Sequence, residues 1–267
     1  MGDVLVLLAV GVFAGVLAGF LGIGGGTVMV PVMVALGLSG VQAVGTSTLA
    51  ILVISLGGSL QNWRMGFLNL KNVLMLGLPS VVTAFVGTAL ASFFPEYVLL
   101  GSFGAFLLIN IYLIGVKKRV VAQASAQTSS VNPAVAERDR PPMSPTLART
   151  VIGGTAGFLA GLFGVGGGVV MVPLQILLLQ EDIKTAIQTS LGAIVITALS
   201  AFGWHSLQGN VQGLTGLLLG IGGLAGVQVS TRYLPRLPDR VVTIMFRTLL
   251  ALFSVFFFYR AWTGFSA

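Results

Sequence analysis

"FLGIGGGTVMVP" (Phe20–Pro31) recurs almost intact as "LFGVGGGVVMVP" (Leu162–Pro173), 142 residues further along the chain. Each copy places three consecutive glycines inside an apolar run. Because a glycine within a helix costs about 1 kcal/mol relative to alanine, each triplet predicts a place where one helix ends and another begins. The recurrence predicts that the chain contains two copies of one structural unit.

The composition is that of a polytopic membrane protein. Of 267 residues, 55% are hydrophobic and 8% are charged, whereas soluble domains are about 25% charged. Apolar runs of about 20 residues recur, the length that a membrane-spanning helix requires. The net charge of +7 is interpreted as orienting the spans rather than binding nucleic acid. We therefore expect an all-α polytopic membrane protein.

The two copies extend well beyond the glycine triplets. "GTSTLAIL" from Gly45 matches "QTSLGAIV" from Gln188, and "PEYV" from Pro95 matches "PDRV" from Pro238, both 143 residues apart. A stretch rich in Ser, Ala, Pro and charge separates the copies and reads as a disordered linker. The predicted organisation is a first transmembrane repeat (residues 1–116), a linker (117–146) and a second transmembrane repeat (147–267).

Each repeat offers five apolar segments, of which the second is short. Eleven or twelve residues of helix cover about 16–18 Å, roughly half of the hydrocarbon core, so we expect a half-helix or the returning arm of a re-entrant hairpin. The segments are Val4–Leu21, Thr27–Leu38, Val41–Leu60, Val73–Phe94 and Tyr97–Val116, then Leu147–Phe163, Val169–Leu179, Ala186–Trp204, Val211–Thr231 and Val241–Tyr259.

The basic residues indicate that the two repeats are inverted. The linker is rich in Lys and Arg, which places it in the cytoplasm. In the first repeat Arg64 and Lys71 flank the loop before the fourth segment, whereas in the second repeat Arg232, Arg236 and Arg240 lie one loop later. This reversal is expected for two copies inserted in opposite orientations. Three full spans and a re-entrant hairpin per repeat would invert equally well, whereas four spans per repeat would be parallel.

Two broken helices in inverted repeats predict a substrate site near the bilayer midplane. A helix N-terminus binds oxyanions through its free N–H groups, and hydroxyl or amide side chains nearby could add donors. An intramembrane arginine could neutralise an anion or could extend to the membrane surface. The candidate substrate-binding residues are Gly24, Gly25, Gly26, Thr27, Thr46, Ser47, Gly166, Gly167, Gly168, Gln188, Thr189, Ser190 and Arg247.

Several of these positions have structural alternatives. The hydroxyls could cap or cross-link helices, and Gly11, Gly15 and Gly19 are better explained by close helix packing. His205, the only histidine, and Asn62 occupy equivalent positions and are candidates for a gate or a pH-sensitive group. The alternative for His205 is a place in the interfacial belt beside Trp204.

The sequence contains no constellation typical of an enzyme. It has no cysteine, and its acidic residues fall at predicted segment ends or in loops. We therefore expect no catalytic site, no metal site, no cofactor, and no carboxylate relay for protons or sodium.

The paired glycine motifs, each followed by "TS" on the next segment, resemble the sulfite exporter TauE/SafE family. The resemblance covers nearly the whole chain outside the linker and implies transport of sulfite, sulfoacetate or a related organosulfonate. The expectation is export across the bacterial cytoplasmic membrane by alternating access, driven by the membrane potential. An anion channel and a non-transporting scaffold or assembly factor are the alternatives, and the oligomeric state is not predicted.

Overall fold

The structure is a computed structural model that describes residues 2–91, 93–95, 97–99, 101–112, 144–163 and 167–265. Positions 117–143 of the predicted linker lie outside the described residues. The described residues form ten α-helices and no strand. The helices are α1 (Gly2–Leu21), α2 (Gly26–Ala35), α3 (Gly40–Arg64), α4 (Leu70–Ala91), α5 (Tyr97–Tyr112), α6 (Pro145–Phe163), α7 (Gly168–Leu178), α8 (Ile183–Leu207), α9 (Gly213–Tyr233) and α10 (Asp239–Phe265).

Six of these helices are long and apolar enough to cross a membrane, namely α1, α3, α4, α8, α9 and α10. The protein is therefore a multi-pass membrane protein. The two short elements predicted after the glycine triplets are confirmed as α2, with 10 residues, and α7, with 11 residues. Every helix begins within three residues of its predicted start, and α6 begins at Pro145, inside the predicted linker.

Helices of the first half pack against helices of the second half. Helix α1 lies along α9, and α4 lies along α6. A Cβ atom at Gly11 would collide with the backbone of Leu219, and one at Gly19 with the side chain of Ser230, so α1 and α9 run parallel. Glycines of α6 meet the α4 backbone in the same way. The expectation that Gly11, Gly15 and Gly19 serve close packing is thereby confirmed.

The central helices α3 and α8 run antiparallel. Gly45 near the start of α3 lies beside His205 near the end of α8, with 3.2 Å between a Cβ at Gly45 and the His205 Cβ. Gly58 near the end of α3 lies against Leu191 near the start of α8. Because α9 runs parallel to α3 and α4 runs parallel to α8, equivalent helices of the two halves point in opposite directions, as an inverted repeat requires.

Equivalent side chains make equivalent contacts with different chemistry. The Gln61 amide donates to the carbonyl of Gln228 at 3.0 Å, and the Gln228 amide donates to the carbonyl of Gly57 at 3.2 Å, joining α3 to α9. At the corresponding place between α8 and α4, Trp204 packs edge-on against Phe85 with ring centroids 5.9 Å apart. The two ends of the molecule therefore share a framework but differ in polarity.

Basic residues collect at one end of the bundle, which we call the basic end. There α3 and α9 finish while α4, α6, α8 and α10 begin, bringing together Arg64, Lys71, Arg149, Lys184, Arg232 and Arg240. Among the residues that the structure describes, two ion pairs join elements at this end. They are Arg149–Glu181, at 2.7 Å, and Lys184–Asp239, at 3.1 Å.

Helices α3 and α8 end in the same backbone motif. Gly66 and Gly209 have φ angles of 79° and 71°, the left-handed conformation that glycine adopts at a Schellman C-cap. The N–H of Phe67 donates to the Asn62 carbonyl at 2.9 Å, and the N–H of Asn210 donates to the His205 carbonyl at 3.0 Å. Asn62 and His205 are thus held at the same position of two matching helix ends.

Helices α3 and α8 also begin alike, with a side-chain cap. Ser39 accepts from the N–H of Gln42, and Asp182 accepts from the N–H of Thr185 at 2.9 Å. Partial burial of Asp182 raises its pKa, but hydrogen bonds from the Thr185 N–H and hydroxyl and from nearby backbone N–H groups outweigh it, so the pKa is lowered overall.

Candidate functional site

The glycine-rich segments before α2 (Gly22–Gly26, the first glycine segment) and before α7 (Gly167 and Gly168 of the described residues, the second) meet at the middle of α3 and α8. A Cβ at Gly24 would lie 3.2 Å from Ile51 Cγ2 and 3.4 Å from Ile194 Cγ2. Cβ atoms at Gly26 and Gly168 would each lie 2.7 Å from the Cδ1 of the nearer isoleucine. The isoleucines are equivalent residues, each the twelfth of a 25-residue helix. The helix breaks therefore lie at mid-span beside Ile51 and Ile194, the apolar pair that we call the isoleucine barrier.

The first glycine segment requires glycine for conformational reasons. Gly24 and Gly25 have φ angles of 77° and 80°, in the left-handed region that side chains disfavour. A Cβ at Gly168 would collide with the carbonyl oxygen of Gly22, so the two breaks touch. Gly167 differs from its equivalent Gly25, because its φ is −55°, and Gly166 lies outside the described residues.

Helix α2 begins beside the isoleucine barrier and presents its N-terminus there. Its N-cap, Gly25, provides no side-chain cap, so the first N–H groups of the helix have no intrahelical partner. Because α2 returns along the first half of α3, these N–H groups point toward the basic end. Thr27 in the first turn is 4% exposed, and its hydroxyl has no hydrogen-bond partner. A helix N-terminus with an unpaired hydroxyl is suited to an oxyanion.

Helix α7 presents an equivalent N-terminus toward the opposite end, but with different side chains. Val169 stands where the first half has Thr27. Gln175, fully buried, instead ties α7 to α8: its amide donates to the carbonyls of Met171 and Ala186 at 3.2 and 3.3 Å, and to the Ser190 hydroxyl at 2.7 Å. Sequence reasoning missed Gln175, although it is the only polar side chain in α7.

The four hydroxyls of the "TS" pairs are all buried, with different roles. The Thr46 hydroxyl accepts from the N–H of Gln212 at 3.0 Å and so holds the loop before α9. Ser47 donates to the carbonyl of Val44 at 2.7 Å, and its oxygen lies 4.0 Å from a Cβ at Gly26. Ser47 is therefore beside the first break, whereas Thr46 serves as a helix cross-link.

On the second half, Gln188 and Thr189 are 4% and 2% exposed. Neither side chain makes a hydrogen bond within the described part of the chain. Gln188 adjoins the first glycine segment, because the preceding residue, Ile187, has its Cα 3.0 Å from a Cβ at Gly22.

The structure does not bring Arg247 to the glycine breaks. Its side chain is exposed on α10, while Val242, Phe246 and Leu250 form the buried face of that helix. Asn62 is 1% exposed and His205 is half-buried. They lie near the C-terminal ends of α3 and α8, and therefore toward opposite ends of the bundle.

Neutral groups supply the buried polarity. Across the described residues, each polar side chain that is buried belongs to Ser, Thr, Asn or Gln, and none is charged. Such groups can donate hydrogen bonds to an anion without changing their protonation state.

Comparison with known proteins gives a consistent result. The family model described as sulfite exporter TauE/SafE matches residues 7–257. A probable membrane transporter protein of Bacillus subtilis, YunE, is 25% identical over 92% of this chain and 94% of its own. A probable membrane transporter protein of Sinorhizobium, ORF9, is 32% identical over 85% of this chain and 83% of its own. A probable membrane transporter protein of Methanocaldococcus jannaschii is 29% identical over 72% of this chain and 68% of its own. No solved structure matches the chain.

Proposed function

This chain belongs to the sulfite exporter TauE/SafE family of membrane transporters, and we propose that it exports a small sulfur-containing anion, such as sulfite or an organosulfonate, across the bacterial cytoplasmic membrane. The basic end faces the cytoplasm under the positive-inside rule, which also makes the linker cytoplasmic. The observation that carries the proposal is the buried N-terminus of α2, which has no side-chain cap and lies at mid-span beside the unpaired hydroxyl of Thr27.

The site consists of the backbone N–H groups around Gly24–Gly26, the Thr27 hydroxyl and Ser47. Gly168, Gln188 and Thr189 contribute from the second half. The partial positive charge of a helix N-terminus stabilises an anion without a cationic side chain, so the exposed position of Arg247 does not weaken the proposal. The anion provides a partner for the Thr27 hydroxyl, which the protein leaves unpaired.

Transport proceeds by alternating access around the isoleucine barrier. Ile51 and Ile194 lie where the two breaks meet. In our proposal they close the path between the two ends, and the helix pairs that join the halves let one set of helices rock against the other. No Asp or Glu of the described residues lies at mid-span, and Glu181, whose Oε2 is buried, pairs with Arg149 at the basic end. The membrane potential therefore supplies the driving force, about 2.3 kcal/mol per charge at 100 mV.

A binding screen on the purified protein tests the site. We expect calorimetry to detect binding of at least one of sulfite, sulfate, thiosulfate, sulfoacetate, taurine and isethionate. Thr27→Val, which installs the residue found at the equivalent position 169, should weaken that binding about tenfold or more, because a hydrogen bond to a charged group is lost.

Thr231→Val is the matched control, because Thr231 is equally buried but donates to the Val227 carbonyl within its own helix. It should leave the affinity unchanged. Equal affinity in wild type and Thr27→Val would move the site elsewhere. Absence of binding by every anion in the screen would favour a scaffold role instead.

A further inference from the structure

Two polar residues in equivalent positions carry buried atoms without hydrogen-bond partners. Both polar atoms of the Asn62 carboxamide are buried without a hydrogen bond, and so is Nδ1 of His205. The other described residues with such unpaired atoms have no such counterpart: Val169 stands opposite Thr27, and Met33 opposite Gln175. Buried polar groups without a protein partner usually meet water or a ligand.

The two residues lie at equal distances from the isoleucine barrier. Asn62 follows Ile51, and His205 follows Ile194, by eleven residues, about 16 Å along a helix. Because α3 and α8 are antiparallel, Asn62 lies toward the basic end and His205 toward the opposite end. The register that places Gly45 beside His205 brings Asn62 to the level of Gln188, whose neighbour Ile187 contacts Gly22.

Asn62 and His205 offer the same kinds of hydrogen-bonding group. A carboxamide and a neutral imidazole each offer both a hydrogen-bond donor and an acceptor. The donor suits a sulfonate oxygen, whereas the acceptor repels a ligand that has only lone pairs to offer. A ligand that satisfies either residue therefore carries an oxyanion together with an O–H or N–H group.

We propose that Asn62 and His205 are equivalent substrate-contacting residues on the two sides of the barrier, and that they select an anion carrying a hydrogen-bond donor. Hydrogen sulfite, hydroxysulfonates and aminosulfonates meet this requirement, whereas sulfate and simple alkanesulfonates do not. This inference rests on the proposed function and narrows its substrate class.

The test compares isethionate with ethanesulfonate, which differ by one hydroxyl group. We expect the wild-type protein to bind isethionate about tenfold more tightly or better, because the analogue without the hydroxyl leaves a polar group unpaired. In Asn62→Leu the preference should fall to within threefold. Since no protein group pairs with the Asn62 side chain, the ligand-free variant should not unfold at a lower temperature than wild type.

A second variant separates this role from a purely structural one. Asn62→His places at position 62 the residue that the chain uses at the equivalent position 205. The logarithm of its affinity ratio, isethionate over ethanesulfonate, should therefore be at least half of the wild-type value. His205→Asn should behave in the same way.

Three results would overturn the inference. They are equal binding of the two sulfonates by wild type, an unchanged preference in Asn62→Leu, and a lowered unfolding temperature of ligand-free Asn62→Leu. Equal binding of both sulfonates leaves the proposed function intact, whereas binding of neither, together with an empty anion screen, removes the proposed function as well.

Discussion

At the scale of single residues, the equivalent glycines Gly25 and Gly167 have different backbone conformations in the two halves. Gly25 is left-handed and a Cβ there would lie 2.9 Å from the Ala14 carbonyl oxygen. Gly167 is right-handed, and the nearest atom to its Cβ would be the flexible Met171 Cε at 3.4 Å. The pattern of three glycines predicts a break in each half but contains no information on this difference, since φ depends on the surrounding packing.

We therefore predict unequal effects of one substitution at the two equivalent positions. Gly25→Ala should lose at least about 1–2 kcal/mol of unfolding free energy from the left-handed backbone, whereas Gly167→Ala should be neutral or gain about 0.4–1 kcal/mol. Thermal unfolding in one detergent measures both, with Thr231→Val as the comparison. A loss in Gly167→Ala as large as that in Gly25→Ala would contradict the assigned backbone conformations.

Residue identity alone also fails to separate site residues from structural ones. Thr46 and Ser47 are adjacent and equally plausible as ligands from the sequence. Only the fold shows that Thr46 accepts from the Gln212 N–H while Ser47 lies beside Gly26. Arg247 was a reasonable candidate because of its depth in a span, but which face of α10 is buried follows from tertiary contacts.

At the scale of elements, the sequence predicts most of the helices. Apolar length and the glycine breaks place every helix start within three residues, including the short α2 and α7. Gln175 escaped notice because one amide in an apolar run does not disturb the periodicity. Its partner Ser190 lies on the next helix, so the pair is visible only when α7 folds back along α8.

The N-caps of α3 and α8 predict a difference in pH dependence. Because hydrogen bonds lower the pKa of Asp182 in the folded protein, its contribution to stability is complete above the ordinary carboxyl pKa of about 4 and is lost as the pH falls through the lower folded value. Asp182→Ser installs the cap that α3 uses at Ser39 and removes the titrating group.

We expect wild type to lose more stability than Asp182→Ser as the pH falls from about 5 to 3. Unfolding temperatures measured across that range provide the comparison, because the remaining carboxyl groups titrate alike in both proteins. Parallel curves for the two proteins would show that the Asp182 cap does not depend on its charge.

At the scale of the whole molecule, the reversed distribution of basic residues predicts inverted repeats, and the packing has the required directions. The packing of α1 against α9 and of α4 against α6 could not be read from the sequence, because many helix pairings would bury the same apolar faces. The isoleucine barrier was also unforeseen, since Ile51 and Ile194 look like ordinary span residues until the two glycine breaks are brought against them.

In this arrangement every buried polar side chain of the described residues is neutral, and the two glycine breaks meet at mid-span beside Ile51 and Ile194. Under the proposed function, the protein moves net negative charge without exchanging a proton or a cation. The membrane potential then acts directly on the substrate, and a negative interior favours export.

The most direct test is sulfite efflux from proteoliposomes under a clamped potassium potential, with equal pH and sodium concentration on both sides. The account predicts that an interior potential of about −100 mV, worth about 2.3 kcal/mol per charge, accelerates efflux relative to zero potential, and that Thr27→Val reduces the rate. An efflux rate that is independent of the membrane potential and requires an imposed proton or sodium gradient would contradict the account.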